Sequence, residues 1–366
     1  MPLDIAPDVH LARTPDPTFY RDPAWYLRTV REVFPATWNF LHDQTDAPKD
    51  GVFPLTWMEG SIDEPLLAVR ENGATSILSN VCTHRSALVV PTATDLPTVL
   101  RCPYHGRRFS RDGQCLSMPD YPVPGFPCSD DHLSRVSTET FGPCAFANLR
   151  PSTPLSELLS SLEPIVGWLP WDEYVPDPTG TVEYDVACHW ALWCENYLEG
   201  YHIPWIHPGL AKTIDYKSYR SEIGPYGSLQ TAYALDGEPA FELPEGHPES
   251  GHRVAAWYIA LFPTTMINLY PWGLSLNLIR PQGPTFTKIL YRRYLWRPDL
   301  IERGAGAGLA GVEEEDDQMN EQVQKGVRGL LAGRGRYQPE REIGVWHFHR
   351  QLQALLGTSN SATTPK

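Results

Sequence analysis

The sequence predicts an α+β protein of two domains, one small and all-β, the other built on an antiparallel sheet with a long helix. Its 366 residues provide enough chain for two domains. Short β-like runs broken by turns occupy residues 38–148, and four longer alternating runs occupy residues 254–297. A helical pattern then follows an acidic run at 313–317. These three observations together indicate the α+β class.

The elements follow one another in a definite order. Residues 14–34 are expected to form a helix, because apolar residues such as Phe19, Trp25 and Val30 recur after two prolines. The strand candidates are residues 54–57, 66–69, 75–78 and 145–148 in the first domain and 256–262, 265–270, 274–279 and 288–294 in the second. The predicted parts are an N-terminal helical segment packing with the second domain (1–37), the first domain (38–150), the second domain (151–356) and a disordered tail (357–366).

Two short pieces of the sequence each pair a thiol with an imidazole, Cys82 with His84 and Cys102 with His105. Such a set can hold a [2Fe–2S] cluster with thiolates on one iron and imidazoles on the other, which raises its reduction potential over an all-cysteine cluster. The alternative is structural zinc, whose sites usually repeat Cys-x-x-Cys and His-x3–5-His. Because each piece here mixes the two residue types, the pattern favours the cluster and predicts redox chemistry.

At residues 80–85 and 101–106 the chain resembles the Rieske non-haem iron oxygenases, in their terminal oxygenase (alpha) component. The resemblance implies that the first domain has the Rieske fold, with its cluster at the loop tips. It also implies that the second domain has a helix-grip fold, in which a curved antiparallel sheet encloses a long helix and a mononuclear Fe(II) site.

A second metal site is expected around His202 and His207. Pro204 lies between them and would end a helix there, which could bring both imidazoles to one metal. Two His and one carboxylate make the facial triad of non-haem Fe(II) oxygenases, which leaves positions open for O₂. Composition does not choose the carboxylate within 313–317. The resemblance selects Asp316, which precedes a Val-Gln-x-Gly element as in family members, with Asp317 as the alternative one residue away.

Glu199 lies three residues before His202, so on a helix the two side chains share a face. A carboxylate between two imidazole N–H groups fixes their tautomers and can couple proton movement to electron transfer. In the family, an acidic residue here bridges the two metal centres across a subunit boundary. By resemblance, the Rieske partner of Glu199 is His105 and its iron-side partner is His202.

Composition excludes some classes of function. The formal charge of −14 argues against nucleic-acid binding, which requires a basic surface. The seven cysteines include two cluster candidates and five others without close zinc-type or disulfide-type pairing, which suits a reducing compartment. No apolar run approaches the ~20 residues of a membrane span, and no signal-peptide pattern begins the chain. A cytoplasmic protein that does not enter the membrane is the expectation.

Electrons are expected to come from another protein. The segment Gly306 to Gly311 matches G-x-G-x-x-G, but it does not follow a buried strand, so we interpret it as a flexible approach to the Asp316 helix and not as a dinucleotide site. With no flavin, nicotinamide or second cluster motif found, the partner would be a separate NAD(P)H-dependent reductase, with or without a ferredoxin. The family also implies a homotrimer.

The substrate class is the least determined expectation. Near the iron site the chain resembles the choline and carnitine monooxygenase branch, which implies hydroxylation or oxidative demethylation of a small, quaternary ammonium compound. Trp205, Tyr270 and Trp272 are candidate cation–π partners, with simple core packing as the other interpretation. His347 and His349 are interpreted as structural. Two alternatives stay open, namely an aromatic-ring hydroxylating dioxygenase, and a Rieske electron-transfer or ligand-binding protein without catalytic iron.

Overall fold

The computed structural model describes residues 3–43 and 50–357. The chain forms two compact units, one made of residues 41–151 and the other of the residues before 41 together with those from 152 onward. The predicted disordered tail lies outside the described residues, apart from Gly357. None of the helices in the described part of the chain has the length and apolar character that a bilayer span requires.

The N-terminal segment is helical, but it is not the single helix that the sequence pattern predicted. It consists of four short pieces, which are a 3₁₀ turn, helix α1, a π turn and a second 3₁₀ turn: Pro17–Tyr20, Pro23–Arg28, Thr29–Val33 and Phe34–Ala36. Asp16 and Asp22 each accept a backbone N–H two residues later and are each followed by proline at the first helical position. These two starting signals divide the segment, because an N-cap with proline begins a new helix.

The first unit is all-β, and the strand candidates of the sequence fall within its strands. Its strands in the described residues, β1 to β9, are Asn39–Asp43, Gly51–Trp57, Glu64–Glu71, Ala74–Ser79, Leu100–Arg101, Arg108–Phe109, Cys115–Ser117, Ser137–Phe141 and Cys144–Asn148. They form three sheets of three strands, in the orders β1-β9-β8, β2-β3-β4 and β5-β6-β7, and the second and third sheets are antiparallel, as is the β8-β9 pair. The two candidate cluster loops follow β4 and β5.

The second unit contains one antiparallel sheet of seven strands. Strands β10 to β16 are Val175–Val186, Arg220–Gly224, Gly227–Tyr233, Val254–Leu261, Thr265–Tyr270, Gly273–Gly283 and Phe286–Leu295. Their order is β10-β16-β15-β14-β13-β12-β11, a meander whose first strand returns to pair with the last. Strands β12, β13 and β14 are buried along their whole length, while the edge strands β10 and β11 are half exposed. The predicted α+β class is confirmed, and β11 and β12 were not anticipated.

Helices pack on this sheet and hold the second candidate site. Helices α2 to α7 are Leu155–Leu158, Glu163–Val166, Trp190–Tyr197, Ile203–Ile206, Leu309–Gly326 and Ile343–Leu356. Helix α6 begins at Leu309, after Gly308 in the left-handed region at φ 65°, so the acidic run lies inside the helix and does not open it. The segment Gly306 to Gly311, which was expected to be a flexible approach to this helix, instead begins with the buried Gly306 and ends in the first turn of α6.

Candidate metal centres and the cavity beside them

The four candidate cluster ligands lie on two loops of the first unit. The thiols of Cys82 and Cys102 are buried in the same hydrophobic cluster. The rings of His84 and His105 are more exposed and pack edge to face, with 4.7 Å between their centroids. The structure therefore brings all four predicted residues together, with the thiols inward and the imidazoles outward.

The two loops have the same backbone hydrogen bonds. Cys82 N–H donates to Ala87 O at 2.8 Å, and Cys102 N–H donates to Arg107 O at 2.9 Å. The cysteine carbonyls in turn accept from Ser86 and Gly106, at 2.9 and 3.1 Å. Both of these residues have left-handed φ angles, 56° for Ser86 and 73° for Gly106. Each loop thus presents its ligands from one tight turn that needs a residue able to adopt positive φ.

Arg107 links the Cys82 loop to Asp131 through side-chain contacts, and the sequence analysis did not identify it. Its guanidinium is almost fully buried, donates to the Thr83 hydroxyl at 2.9 Å and forms an ion pair with Asp131. The Thr83 hydroxyl donates to the Asp131 carbonyl at 2.7 Å. A buried cation next to the thiols stabilises negative charge on a thiolate-ligated group.

The donor set fits a Rieske cluster. Two thiols and two imidazoles at adjacent loop tips match the ligand chemistry of that centre. Burial, the largest cause, raises the pKa of the Cys82 thiol, while Arg107 acts in the opposite direction.

The second candidate centre is assembled from two distant parts of the chain. His202 precedes the short helix α5 and His207 follows it, with Pro204 near its first turn. Asp316 reaches them from helix α6. Its Oδ1 lies 3.0 Å from His207 Nε2 and 3.7 Å from His202 Nε2. One donor atom from each residue lies within 4.8 Å of the others, which satisfies the geometry for binding one metal ion.

Each imidazole is held by a glutamate on its other ring nitrogen. His202 Nδ1 lies 2.6 Å from Glu199 Oε1, and His207 Nδ1 lies 2.7 Å from Glu315 Oε2. Such contacts fix the imidazole so that Nε2 is free to bind a metal. Burial alone lowers the pKa of His207, but Asp316 and Glu315 outweigh it and raise that pKa above its ordinary value. The same negative field favours a bound cation, so two imidazoles and a carboxylate fit non-haem iron.

The structure separates Asp316 from the alternative, Asp317. Asn196 Nδ2 donates to Asp316 Oδ1 at 2.6 Å and so orients that carboxylate toward the two imidazoles. Asp317 Oδ1 instead accepts from Trp193 Nε1 at 2.9 Å. Burial is the main cause that raises the pKa of Asp317 to about 6, with Asp316 and Glu321 contributing.

A cavity of about 90 Å³ opens beside the side chains of His202, His207 and Asp316, on the sheet side of helix α6. On this scale a water molecule needs ~10–15 Å³, so the cavity holds a small organic molecule. Six aromatic residues line it: Trp193, Tyr197, Tyr219, Tyr258, Tyr270 and Tyr291. Polar groups at its floor include Asn268, whose Nδ2 donates to Asn277 Oδ1 at 3.0 Å.

The three predicted substrate residues are placed differently. Tyr270 lines the cavity. Trp272 is buried behind Tyr270, with stacked rings 5.1 Å apart, so it supports the wall without lining it. Trp205 is 83% exposed and does not line the cavity, because its position on α5 directs it to the surface of this chain. His347 and His349 make hydrogen bonds within the fold, to Gly224 O at 2.9 Å and to Tyr337 Oη at 2.7 Å.

Comparison with known proteins gives two family matches. A model of the Rieske [2Fe–2S] domain matches residues 38–127, and a model of the ring-hydroxylating alpha subunit (catalytic domain) matches residues 177–358. Choline monooxygenase of Arabidopsis thaliana is 28% identical over 364 residues, covering 94% of this chain and 83% of that protein. Putrescine 2-hydroxylase of Bordetella bronchiseptica is 25% identical over 392 residues, covering 97% of this chain and 88% of that protein.

Among solved structures, the quaternary ammonium Rieske monooxygenase CntA superposes with a TM-score of 0.74. The two chains are 19% identical, and the alignment covers 98% of this chain and 99% of that one. At this identity the likeness shows that the two proteins share a fold.

Proposed function

This chain belongs to the Rieske oxygenases, which join a Rieske [2Fe–2S] domain to a ring-hydroxylating catalytic domain, and on that premise we propose that it is the terminal oxygenase of a multicomponent system. The observation that most supports this proposal is that His202, His207 and Asp316 converge beside a cavity large enough for a small substrate. In this proposal the enzyme uses O₂ to hydroxylate or oxidatively demethylate a small organic ammonium compound. Choline and putrescine are the substrates named for two relatives.

The metal ligands are proposed from the donor sets. Cys82, His84, Cys102 and His105 hold the cluster, and His202, His207 and Asp316 hold the mononuclear iron. When bound, the cluster supplies single electrons at a raised potential, and the iron supplies an open site for O₂.

The surrounding residues hold this site in order. Glu199 Oε1 fixes the His202 ring, while its Oε2 accepts the backbone N–H groups of Tyr201 and His202 and so caps the turn that carries the ligand. Glu315 fixes His207 in the same manner, and Asn196 orients Asp316. The aromatic walls and the buried sheet behind them exclude bulk water from the bound substrate.

Two parts of the proposal come from the family. An electron-transfer partner is implied, and we propose a separate NAD(P)H-dependent reductase, with or without a ferredoxin. We also propose a homotrimer in which Glu199 links His202 of its own chain to His105 of a neighbouring chain. A carboxylate between two imidazoles is suited to move a proton when either ring changes charge.

Aromatic-ring hydroxylation is the second candidate function. The observation in its favour is the aromatic lining of the cavity, together with the ring-hydroxylating family model. Aromatic walls bind a flat ring by stacking and bind a cation by cation–π attraction, so the lining alone suits both substrates.

A single-turnover assay tests the proposal without the reductase. The chemically reduced, iron-replete protein is mixed with O₂ and a panel of quaternary amines, diamines and aromatic acids, and products are identified by mass spectrometry. We expect an ammonium compound that has gained oxygen or lost a methyl group. Oxygenated aromatic products alone would favour the second candidate. Reoxidation of the cluster without any product would contradict the oxygenase proposal for this panel.

A further inference from the structure

One carboxylate of the acidic run differs from its neighbours. Within the described residues, Glu314 accepts from Gln318, Glu315 contacts His207, Asp316 contacts both imidazoles, and Asp317 accepts from Trp193. Glu313 alone in this run makes no hydrogen bond and no ion pair in the described part of the chain. It is also the residue that lines the cavity one helical turn before Asp316.

The surroundings of Glu313 are unfavourable for an unpaired negative charge. Burial, followed by the charges of Asp317 and Asp316, raises the pKa of Glu313 to about 8, while the charge of Arg293, which is ion-paired with Asp177, acts in the opposite direction. The negative charge of Glu313 also acts on Tyr291, which lines the cavity. Burial is the main cause that raises the pKa of the Tyr291 hydroxyl, and the Glu313 charge is the next. Burying a charge without a partner costs free energy, and a cationic guest in the cavity would recover that cost.

The rest of the lining complements a cation and rejects an anion. Apart from tyrosines, the ionisable groups that line the cavity in the described structure are Glu199, His202, His207, Glu313 and Asp316, and the lining includes no lysine or arginine. Tyr258 and Tyr270 present aromatic faces, which attract an ammonium group. A substrate carboxylate would meet no lysine or arginine and would lie among three acidic residues, Glu199, Glu313 and Asp316.

Glu313 lies close to the proposed iron ligand Asp316 on helix α6, so an ammonium group bound at Glu313 would be near the reaction centre. Residues three apart on a helix share a face, with Cβ atoms about 5–6 Å apart. An ammonium group at Glu313 therefore places the next one or two carbons of a short chain on the side of Asp316, where the oxygenation is proposed.

We propose that Glu313 is the counter-ion of the substrate's ammonium group and that the cavity selects an organic cation without a carboxylate. This inference rests on the proposed function, and it adds a specificity-determining residue and narrows the substrate class. Amino alcohols and diamines fit it, whereas betaines and amino acids do not.

The test compares cations with neutral molecules of the same shape. Isothermal titration calorimetry of the full chain with its metals would use choline against 3,3-dimethylbutan-1-ol, and butane-1,4-diamine against butane-1,4-diol. For the wild-type protein we expect one of the cations to bind at least tenfold more tightly than its neutral partner, and glycine betaine to bind at least tenfold more weakly than choline. In Glu313→Gln the affinity for the cation should fall at least tenfold, while the neutral partner binds as before.

Glu314→Gln is the matched control, because Glu314 is the adjacent, exposed residue of the same helix. It should leave the affinities for all five ligands unchanged. The cluster absorption spectrum and the thermal midpoint of each variant establish that it is folded. If Glu313→Gln does not fold, the wild-type preference between each cation and its neutral partner decides the proposal.

Three results would overturn the inference: a cation bound equally well by Glu313→Gln, no preference for either cation over its neutral partner, or glycine betaine bound as tightly as choline. These results are separate from failure of the proposed function. Binding that depends on Glu313 without oxygenation in the single-turnover assay would refute the proposed reaction and leave the counter-ion in place.

Discussion

The two metal-binding regions differ in how much of the chain builds them. Each candidate cluster loop obtains two ligands from a single turn of a few residues, and the two loops repeat the same hydrogen bonds. The candidate iron site instead joins the α4–α5 segment to helix α6, so Asp316 meets His207 across 109 positions of sequence. The first arrangement depends on local backbone conformation, and the second depends on helix packing and on the glutamates that orient each imidazole.

The largest effect is expected from the residue that completes the assembled site. Asp316→Asn should lose the mononuclear iron and reduce single-turnover product by more than about 100-fold, because it removes an anionic ligand. Asp317→Asn keeps an oxygen for the Trp193 hydrogen bond and should retain iron and most of the activity. Iron analysis and product yield measure both. Equal losses in the two variants would contradict the assignment of Asp316.

The next largest effect on turnover is expected from Glu199→Gln. It keeps the shape of the side chain but removes the negative charge that holds His202 Nδ1, so both metal centres should persist while turnover falls by at least about 100-fold. The measurements are cluster absorption, iron content and steady-state turnover with the reductase. A fully active Glu199→Gln enzyme, or full activity of the wild-type protein as a monomer, would exclude the bridging role.

Glu315→Gln changes the residue that contacts His207 Nδ1. Glu315 is partly exposed on helix α6, whereas His207 is buried. Loss of such a supporting carboxylate typically costs 10–100-fold in metal affinity or activity, and we expect a decrease of about tenfold in the affinity for the mononuclear iron. Competition with a chelator measures it, with Glu314→Gln as the control. An unchanged affinity would mean that His207 is oriented without Glu315.

The smallest effects should come from the loops, where backbone conformation is tested directly. Gly106→Ala places a Cβ at φ 73° and 3.3 Å from Pro119 Cγ, so it should destabilise the first unit by about 1–2 kcal/mol. The equivalent change in the other loop, Ser86→Gly, relieves a positive φ and should stabilise by up to about 1 kcal/mol. Thermal midpoints with the cluster loaded should move in opposite directions, and shifts of the same sign would show that the loops are not equivalent.

This contrast also explains what the sequence could predict. Ligands close together in the chain, such as Cys82 with His84, are visible as motifs because one turn places them. The helix end expected at Pro204 was wrong, because Pro204 lies in the first turn of α5, which runs from Ile203 to Ile206 between the two histidines. Strands β13 to β16 were predicted because their apolar residues alternate, whereas β12 was missed because its sequence mixes glycine and polar residues that tertiary packing buries.

Residues that act through tertiary contacts were not predictable from pattern. Glu315 and Glu313 lie in an acidic run that reads as a solvated helix face, and only the packing of α6 on the sheet shows that one holds His207 and the other lines the cavity. The prediction for Trp205 failed in the opposite direction, because it assigned to the substrate site a side chain that does not line the cavity. Its neighbours in sequence are metal-ligand candidates, but the α5 turn exposes its side chain.

Iron and acid-labile sulfide analysis of the wild-type protein beside His207→Ala tests the central claim most directly. The account predicts one iron per chain beyond the two of the [2Fe–2S] cluster, and it predicts that His207→Ala loses this iron while the cluster absorption and the sulfide content persist. If the wild-type protein holds only the iron of the cluster under iron-replete conditions, the assembled site does not bind iron, and the chain is an electron-transfer or ligand-binding protein.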